Sequence, residues 1–194
     1  MNPLQVSKVE EGLVRFFGFI GEDPNRNGLK GTPNRITKMF QEVFRGYDEA
    51  QKPEITVFEN HEDGIRSTGI LRDSGYFFSF CEHHMLPFFG TYQFGYIPDE
   101  LVVGASKIAR TVDYYAARLQ IAERLCYDVI EEIEKQVHPK GSILIMSARH
   151  LCKEMRGVKK FNSPYEVDEV RGYFDKNKDG CKDEFLSRIN KGRR

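Results

Sequence analysis

The chain has 194 residues, enough for one domain or for one domain with a helical extension, and its 29 basic residues balance 29 acidic ones. A net charge of zero provides no overall field to attract nucleic acid or an anionic membrane. The longest apolar runs fall far short of the roughly 20 residues that span a bilayer. The start of the chain lacks the basic and apolar regions of a signal peptide, and the four cysteines are too widely spaced for a disulfide framework. We therefore predict a cytoplasmic protein that binds neither nucleic acid nor membranes.

Two amphipathic helices are predicted in the first 50 residues. The first covers about residues 4 to 18, where six apolar residues recur at helical spacing: Leu4, Val6, Val9, Leu13, Phe16 and Phe17. The second begins with Thr32 as N-cap and Pro33 at the first helical position, and Gly46 ends it. Arg35 and Lys38 lie three positions apart near its start, a pattern that usually means only a solvated face.

From about residue 54 the pattern changes to short runs rich in aromatic and β-branched residues. These predict strands over 55–58, 75–80 and 89–96, with a loop between the last two. A long helical pattern follows from Gly104 to just before Pro139, as one helix or as two end to end. The stretch 142–154 alternates as a further strand. His150 and Cys152 share parity in it and should point to the same face.

The segment after Val158 is highly charged and has weak periodicity. It includes four residues that match the opening of an EF-hand calcium loop: Asp175, Asn177, Asp179 and Gly180. The twelfth position of that loop is Leu186, where a bidentate Glu is needed. We therefore interpret this stretch as a polar turn.

Cys81 and His84 have the spacing of a zinc half-site, which needs further ligands from elsewhere in the fold. Cys152 is the candidate, because it also lies beside a spare histidine. Two cysteines and one histidine would leave a fourth tetrahedral position for water, as in catalytic zinc sites. The alternative is that two distant cysteines are inert core residues. Cys126, in a helical pattern, and Cys181, in a polar tail, look structural or incidental.

Several separated motifs resemble GTP cyclohydrolase I, in that family's order and at its spacings. They are Cys81-Glu82-His83-His84-Met85-Leu86-Pro87-Phe88, the run 104–110, Arg118-Leu119-Gln120 with Glu123-Arg124-Leu125, His150-Leu151-Cys152 and Arg156-Gly157. The resemblance extends from about Gly28 to Phe174. It implies an α+β T-fold, in which an antiparallel sheet is backed by two long helices and preceded by an N-terminal helical region. On this basis we divide the chain into a helical region, 1–50, and a T-fold catalytic domain, 51–194. A ring-shaped homodecamer with active sites between subunits is also implied.

The same resemblance implies the conversion of GTP and water to 7,8-dihydroneopterin triphosphate and formate, the first step towards tetrahydrofolate and other pterins. Cys81, His84 and Cys152 match the ligands of a Zn²⁺ ion whose bound water attacks C8 of guanine. His83 and His150 match the residues that transfer protons as the two rings open. Ser106 matches the residue that assists the later rearrangement of the opened sugar.

The resemblance also implies which residues recognise the substrate. Glu123 matches the carboxylate that accepts hydrogen bonds from N1 and N2 of guanine, a donor pair that adenine lacks. Five cations match contacts to the triphosphate: Arg35, Lys38, Lys107, Arg110 and Arg156. Each cation alone would be read as a solvated side chain, and only their joint match favours a phosphate site.

Two departures from the family pattern are expected to lie near the pocket. Ala122 stands where the family usually has Gln before the guanine-binding Glu, which predicts a missing polar contact to the substrate. Residues 161–167 are bulkier and more acidic than the Ser/Thr-rich segment that the family tends to carry there. Substrate detail and rate should be affected more than zinc binding.

Two other functions stay open at this point. One is a related cyclohydrolase that acts on another guanine nucleotide, and the other is a zinc-holding oligomeric scaffold without catalysis. The nitrile reductase of queuosine synthesis has the same fold but uses a nucleophilic cysteine and NADPH. The Cys-x-x-His pair argues against that assignment.

Overall fold

The structure, a computed structural model, describes residues 3–61, 64 and 66–191. Its helices and strands are α1 (Pro3–Phe19), α2 (Thr32–Val43), β1 (Val57–Glu59), β2 (Leu71–Cys81), β3 (Pro87–Ile97), β4 (Leu101–Val103), α3 (Ala105–Ala116), β5 (Leu119–Gln120), α4 (Ala122–Val137), β6 (Gly141–His150), α5 (Leu151–Glu154), β7 (Tyr165–Gly172) and α6 (Cys181–Lys191). Within the described residues, no helix is both long enough and apolar enough to cross a membrane.

One sheet, in the order β5-β2-β3-β6-β7, organises the chain. Strands β2, β3, β6 and β7 pair antiparallel, whereas the two residues of β5 pair parallel with the end of β2. Strands β1 and β4 form a separate antiparallel pair. Helices α3 and α4 cover one face of the sheet. The predicted α+β T-fold, with an antiparallel sheet backed by two long helices, is confirmed.

The main core lies between the sheet and these two helices. Helix α3 contributes Ile108 and Val112, and α4 contributes a stripe that includes Leu125 and Val129, all almost fully buried. The strands contribute residues of one parity, as in Leu144, Met146 and Ala148 of β6. Cys126 also belongs to this core, and burial raises the pKa of its thiol to about 12. It therefore has the surroundings of a structural residue rather than a reactive one.

A second, smaller core covers the opposite face of β6. Helix α6 buries Cys181, Phe185 and Ile189, spaced four residues apart, against Ile143 and Phe174. Neither α6 nor β7 was predicted from the sequence. The spacing of these three residues was a detectable helical signal within the charged tail. Strand β7 is half exposed and charged, so it lacks the apolar run by which strands are usually recognised.

The predicted N-terminal helices are both present, but the second is bounded differently. Gly31 is the N-cap residue of α2, and Thr32 already lies in the helix. The Thr32 hydroxyl donates to the carbonyl oxygen of Gly28 at 3.3 Å and makes no cap hydrogen bond. Helix α2 ends at Val43, three residues before Gly46. The division of the chain at residue 50 stays a prediction.

The long helical pattern resolves into α3 and α4, with the short strand β5 between them. The predicted strand over 142–154 ends at His150, because Leu151 begins the short helix α5. The prediction that His150 and Cys152 share a strand face is therefore wrong. The polar turn is confirmed: Asn177 has a φ of 44°, and its side-chain oxygen accepts the backbone N–H of Lys182 at 2.9 Å, at the start of α6.

Candidate metal and substrate site

A tight turn between β2 and β3 presents the first metal-binding candidates. The turn closes through two backbone hydrogen bonds: Cys81 N–H donates to the Leu86 oxygen at 2.9 Å, and Met85 N–H donates to the Cys81 oxygen at 2.8 Å. Met85 has a φ of 53°, a left-handed conformation that costs energy for a side chain of its size. This backbone leaves the Cys81 thiol buried and places His84 on the exposed part of the turn.

Cys152 reaches the same place from the other side. It lies in α5, directly after the end of β6, and Phe88 of β3 pairs with His150 there. One ligand atom from each of Cys81, His84 and Cys152 lies within 4.8 Å of the other two. Burial, and then the neighbouring Cys81 thiol, raise the pKa of Cys152. Among the described residues this is the only group of its kind.

The three side chains fit a zinc ion. Zinc binds thiolate sulfur at about 2.3 Å and imidazole nitrogen at about 2.0 Å, so its tetrahedral ligand atoms lie within about 3.8 Å of one another. Cys81, His84 and Cys152 would need to close by only about 1 Å to reach that geometry. Two sulfurs and one nitrogen form a donor set that zinc favours, and a fourth position would stay open. That these residues bind zinc stays a prediction.

Both spare histidines lie beside this group. His150 stacks on Phe88, with ring centroids 4.5 Å apart and planes 2° from parallel. Burial lowers the pKa of His150, which favours its neutral form near neutral pH. Its Nε2 atom is buried and has no hydrogen-bond partner among the described residues, an arrangement expected where a ligand supplies the partner. His83 is exposed, and its Nδ1 lies 3.7 Å from the Cys81 sulfur.

Glu123 lies in the first turn of α4 and faces the same space. The Tyr165 hydroxyl donates to Glu123 Oε1 at 2.6 Å. This hydrogen bond is the main reason that the pKa of Glu123 is lowered, and His150 and His83 add smaller electrostatic effects in the same direction. Glu123 is therefore held as a carboxylate that accepts hydrogen bonds, close to both histidines.

An ion pair joins the turn between β2 and β3, called below the metal-binding turn for its predicted role, to the start of α4. Arg124 pairs with Glu82, the residue between Cys81 and His83, and its Nε donates to the Gln120 side-chain oxygen at 2.9 Å. The Glu82 backbone N–H donates to the Gln120 carbonyl oxygen at 3.0 Å. From the sequence, Glu82 and Arg124 were recognised only as parts of the family motifs, with no role assigned to either. Their contacts fix the turn relative to Glu123.

Comparison with known proteins agrees with this geometry. The sequence pattern of GTP cyclohydrolase I matches residues 9–190. The chain belongs to the GTP cyclohydrolase I family. GTP cyclohydrolase 1 of Helicobacter pylori strain G27 is 40% identical over 168 residues, which cover 87% of this chain and 92% of that protein. GTP cyclohydrolase 1 of Wolinella succinogenes is 40% identical over 181 residues, covering 93% and 95%.

The resemblance inferred from the sequence motifs is thereby confirmed. A solved structure of the archaeosine synthase QueF-Like in the apo form is also similar, with a TM-score of 0.47 and 20% identity over 55% of this chain and 97% of that one. Likeness at that level adds nothing to the assignment, which follows from the family match and from the two relatives.

The cations that match the family's triphosphate contacts are spread over three elements. Arg156 follows α5, close enough to Cys152 to favour its thiolate form electrostatically. Lys107 and Arg110 lie in the first half of α3, together with Ser106. Arg35 and Lys38 are exposed on α2.

The start of α3 lies far from the metal-binding turn within one chain. The Val103 N–H, just before α3, donates to the Tyr96 hydroxyl at 3.0 Å, and Tyr96 pairs with Leu71. Leu71 is ten residues from Cys81 along β2, which corresponds to roughly 33 Å of strand. Ser106 and Lys107 are therefore not brought to Cys81, His84 and Cys152 of the same chain, whereas Arg110 lies further along α3, six residues before its end.

Arg35 and Lys38 lie on the part of α2 that is distant from Cys81. The ring of Phe44, just after α2, lies 5.2 Å from that of Phe80, next to Cys81. Lys38 and Arg35 precede Phe44 by six and nine residues, or about 9 and 13 Å at 1.5 Å per helical residue. The end of α2 is therefore the part of that helix that lies near β2, the strand that ends at Cys81.

The two departures from the family pattern have different surroundings. Ala122 is buried in the main core, so its methyl group packs against apolar neighbours and does not face the pocket. In the other segment, Tyr165 contacts Glu123 directly, as described above. Ser163 accepts a hydrogen bond from Lys153 at 2.7 Å, and exposed Phe161 packs against Arg149. Of the two departures, the segment 161–167 is the one that reaches the site.

Proposed function

We propose that this chain converts GTP and water to 7,8-dihydroneopterin triphosphate and formate, the reaction that membership of the GTP cyclohydrolase I family implies. The observation that carries the proposal is the convergence of Cys81, His84 and Cys152 beside His150 and Glu123. A metal group, a proton-transfer group and a nucleobase-binding carboxylate then share one space. We further propose that the protein acts in the cytoplasm.

In this proposal Cys81, His84 and Cys152 hold a zinc ion, which supplies the Lewis acidity that makes water a nucleophile near neutral pH. His150 accepts and returns a proton at its buried Nε2, for which its lowered pKa suits it. The stacked Phe88 ring keeps the imidazole plane fixed while the proton moves. His83 is exposed and can exchange protons between the site and the solvent.

Glu123 selects the base. An ionised carboxylate is an acceptor only, and it can take both the N1–H and the N2–H of guanine. Adenine presents no such donor pair, so binding adenine would leave the carboxylate unpaired. The lowered pKa of Glu123 supports this role, because a protonated acid would lose one acceptor oxygen. In this proposal Arg156, which lies near Cys152, contacts the phosphates of the bound nucleotide.

We also propose that each active site is completed by another subunit of a homo-oligomer, a decamer by family resemblance. Within one chain, Ser106 and Lys107 lie at the end of the sheet opposite to Cys81, and Arg110 follows them about one turn further along α3. Ser106 is assigned to the rearrangement of the opened sugar, which is bonded to the base near the metal. A second copy of the chain, bringing the start of its α3 to this turn, would supply all three residues.

The proposal is tested by incubating the zinc-loaded protein with GTP and measuring formate and pterin fluorescence, with a metal-stripped sample as control. We expect metal-dependent release of both. Formate without pterin would mean that ring opening occurs without the sugar rearrangement assigned to Ser106. Neither product, with zinc still bound, would favour a non-catalytic scaffold, and preference for another guanine nucleotide would favour a related cyclohydrolase.

A matched pair of variants tests the metal assignment. Cys152→Ser should lose zinc and activity together, because it removes one of three protein ligands. Cys126→Ser is the control, since Cys126 is buried in the core and donates its thiol hydrogen to the Leu144 oxygen. Its variant should retain zinc. Equal zinc content in both variants would refute the ligand assignment.

A further inference from the structure

We propose that Tyr165 is a positioning residue that sets the preference of this site for the guanine base. The proposal depends on the assignment of Glu123 to base recognition and deepens it. It rests on the contact between the Tyr165 hydroxyl and Glu123 Oε1, in a segment where the chain departs from the Ser/Thr-rich pattern of its family.

The backbone around Tyr165 is firmly placed although its side chain is partly exposed. Tyr165 is the first residue of β7 and pairs with Ala148, a buried residue of β6. Its ring meets that of His150 edge to face, with centroids 6.0 Å apart and planes at 81°. His150 in turn stacks on Phe88. Tyr165 is thus supported by the same strands that hold the proton-transfer histidine.

Glu123 needs such support. It lies on the exposed side of the first turn of α4, where a glutamate without a partner samples several rotamers. Tyr165 restricts that freedom with one hydrogen bond of 2.6 Å. An ionised carboxylate offers about four lone-pair sites, so the tyrosine uses one and leaves enough for two donors from a base. The contact therefore orients Glu123 without blocking it.

Fixing the orientation of Glu123 is expected to increase the preference of the site for guanine over other purine bases. Guanine offers N1–H and the 2-amino group, whereas hypoxanthine, the base of inosine triphosphate, offers only N1–H. A carboxylate held in one orientation can bind both donors of guanine together, which favours GTP over inosine triphosphate. A mobile carboxylate can accept one donor in several orientations but must be fixed in one orientation to accept two, so it loses more affinity for guanine than for hypoxanthine.

The test compares wild type with Tyr165→Phe, which removes only the hydroxyl. We expect the KM for GTP to rise about tenfold, the size expected for a hydrogen bond to a charged group, with kcat changed less than about twofold. The KM for inosine triphosphate should rise only about threefold, since one donor is at stake rather than two. Dissociation constants of both nucleotides, measured on metal-stripped protein, should show the same change in preference.

Two controls distinguish positioning from a general structural effect. Tyr127→Phe alters a tyrosine of similar exposure, 46% against 44%, on α4, the helix that carries Glu123, and it should leave the preference unchanged. In a Glu123→Gln background, Tyr165→Phe should add nothing, because the hydroxyl acts through the carboxylate. Equal losses for both nucleotides, a fall in kcat alone, or no change would each overturn the proposal.

The role of Tyr165 and the cyclohydrolase assignment would be contradicted by different results. If wild type binds GTP but does not turn it over, the cyclohydrolase assignment fails, while the binding comparison still tests Tyr165. If wild type turns over GTP and the Tyr165→Phe variant keeps the full preference for GTP, the cyclohydrolase assignment stands and Tyr165 has no role in base recognition.

Discussion

Gly46→Ala should destabilise the protein, because Gly46 lies where two backbone segments touch. A β-carbon at this position would collide with the carbonyl oxygen of Tyr114 and lie 2.7 Å from that of Ala117. The Gly46 N–H donates to the Ala117 oxygen at 3.0 Å, and the Gly46 oxygen accepts from Arg118 Nε at 2.6 Å. Any shift that relieves the collision stretches both hydrogen bonds.

The size of the effect follows from these contacts. Each of the two hydrogen bonds contributes about 1 kcal/mol net. Overpacking against backbone adds about 1 to 3 kcal/mol, because backbone oxygens cannot rotate away as side chains do. A third contact, from Leu119 N–H to the Tyr47 hydroxyl at 3.0 Å, belongs to the same junction and would weaken with it. We expect the free energy of unfolding to fall by about 3 to 5 kcal/mol.

Urea unfolding, with both proteins at the same concentration, measures this change. The control is Gly12→Ala, in the middle of α1, where a β-carbon meets nothing within 4 Å. That substitution should stabilise the helix by about 0.5 to 1 kcal/mol. A Gly46→Ala variant within about 0.5 kcal/mol of wild type would refute the reasoning.

Three further predictions concern stability and the metal-binding turn. Phe185→Ala removes a fully buried ring of the second core and should cost about 3 to 5 kcal/mol in urea unfolding; a loss below about 1 kcal/mol would contradict that packing. Burial by itself would raise the pKa of Glu132, but hydrogen bonding, chiefly from Lys52, lowers it below its ordinary 4.5. The stability from this group is therefore present above about pH 4.5 and lost as the pH falls through the lowered value, so Glu132→Gln should flatten acid unfolding. Arg124→Ala breaks a partly exposed pair with Glu82 and should cost less than about 1 kcal/mol of stability, yet weaken zinc binding about tenfold or more in chelator competition. Unchanged zinc affinity would mean that the pair does not orient the turn.

The sequence predicted those elements whose residue spacing directly reflects a buried face or a tight turn. The helical stripe of α4 appears in the sequence because that helix buries one face against the core. The Cys-x-x-His spacing predicted that Cys81 and His84 lie together, since three positions is a distance that one tight turn can close.

Other features depend on tertiary contacts that no local pattern carries. The alternation after residue 142 continues past His150, so it did not reveal that the strand ends there. The chain enters α5 at Leu151, and this change of direction brings Cys152 close to Cys81. Ala122 was expected at the pocket and lies in the core, because which side of a helix faces the sheet is decided by packing over its whole length. The Tyr165 contact joins residues 42 positions apart and was not predicted.

The family motifs assign Ser106 and the metal ligands to one site, although a single chain holds them far apart. The metal-binding turn and Ser106 lie at opposite ends of the sheet in one chain, so a site that needs both must combine two copies. Two inactive variants, Cys152→Ser and Ser106→Ala, should then restore each other when unfolded, mixed equally and reassembled. A quarter of the sites would combine an intact metal group with an intact Ser106, so about one quarter of wild-type activity should return. If each site belonged to one chain, every site would carry a defect and no activity would return.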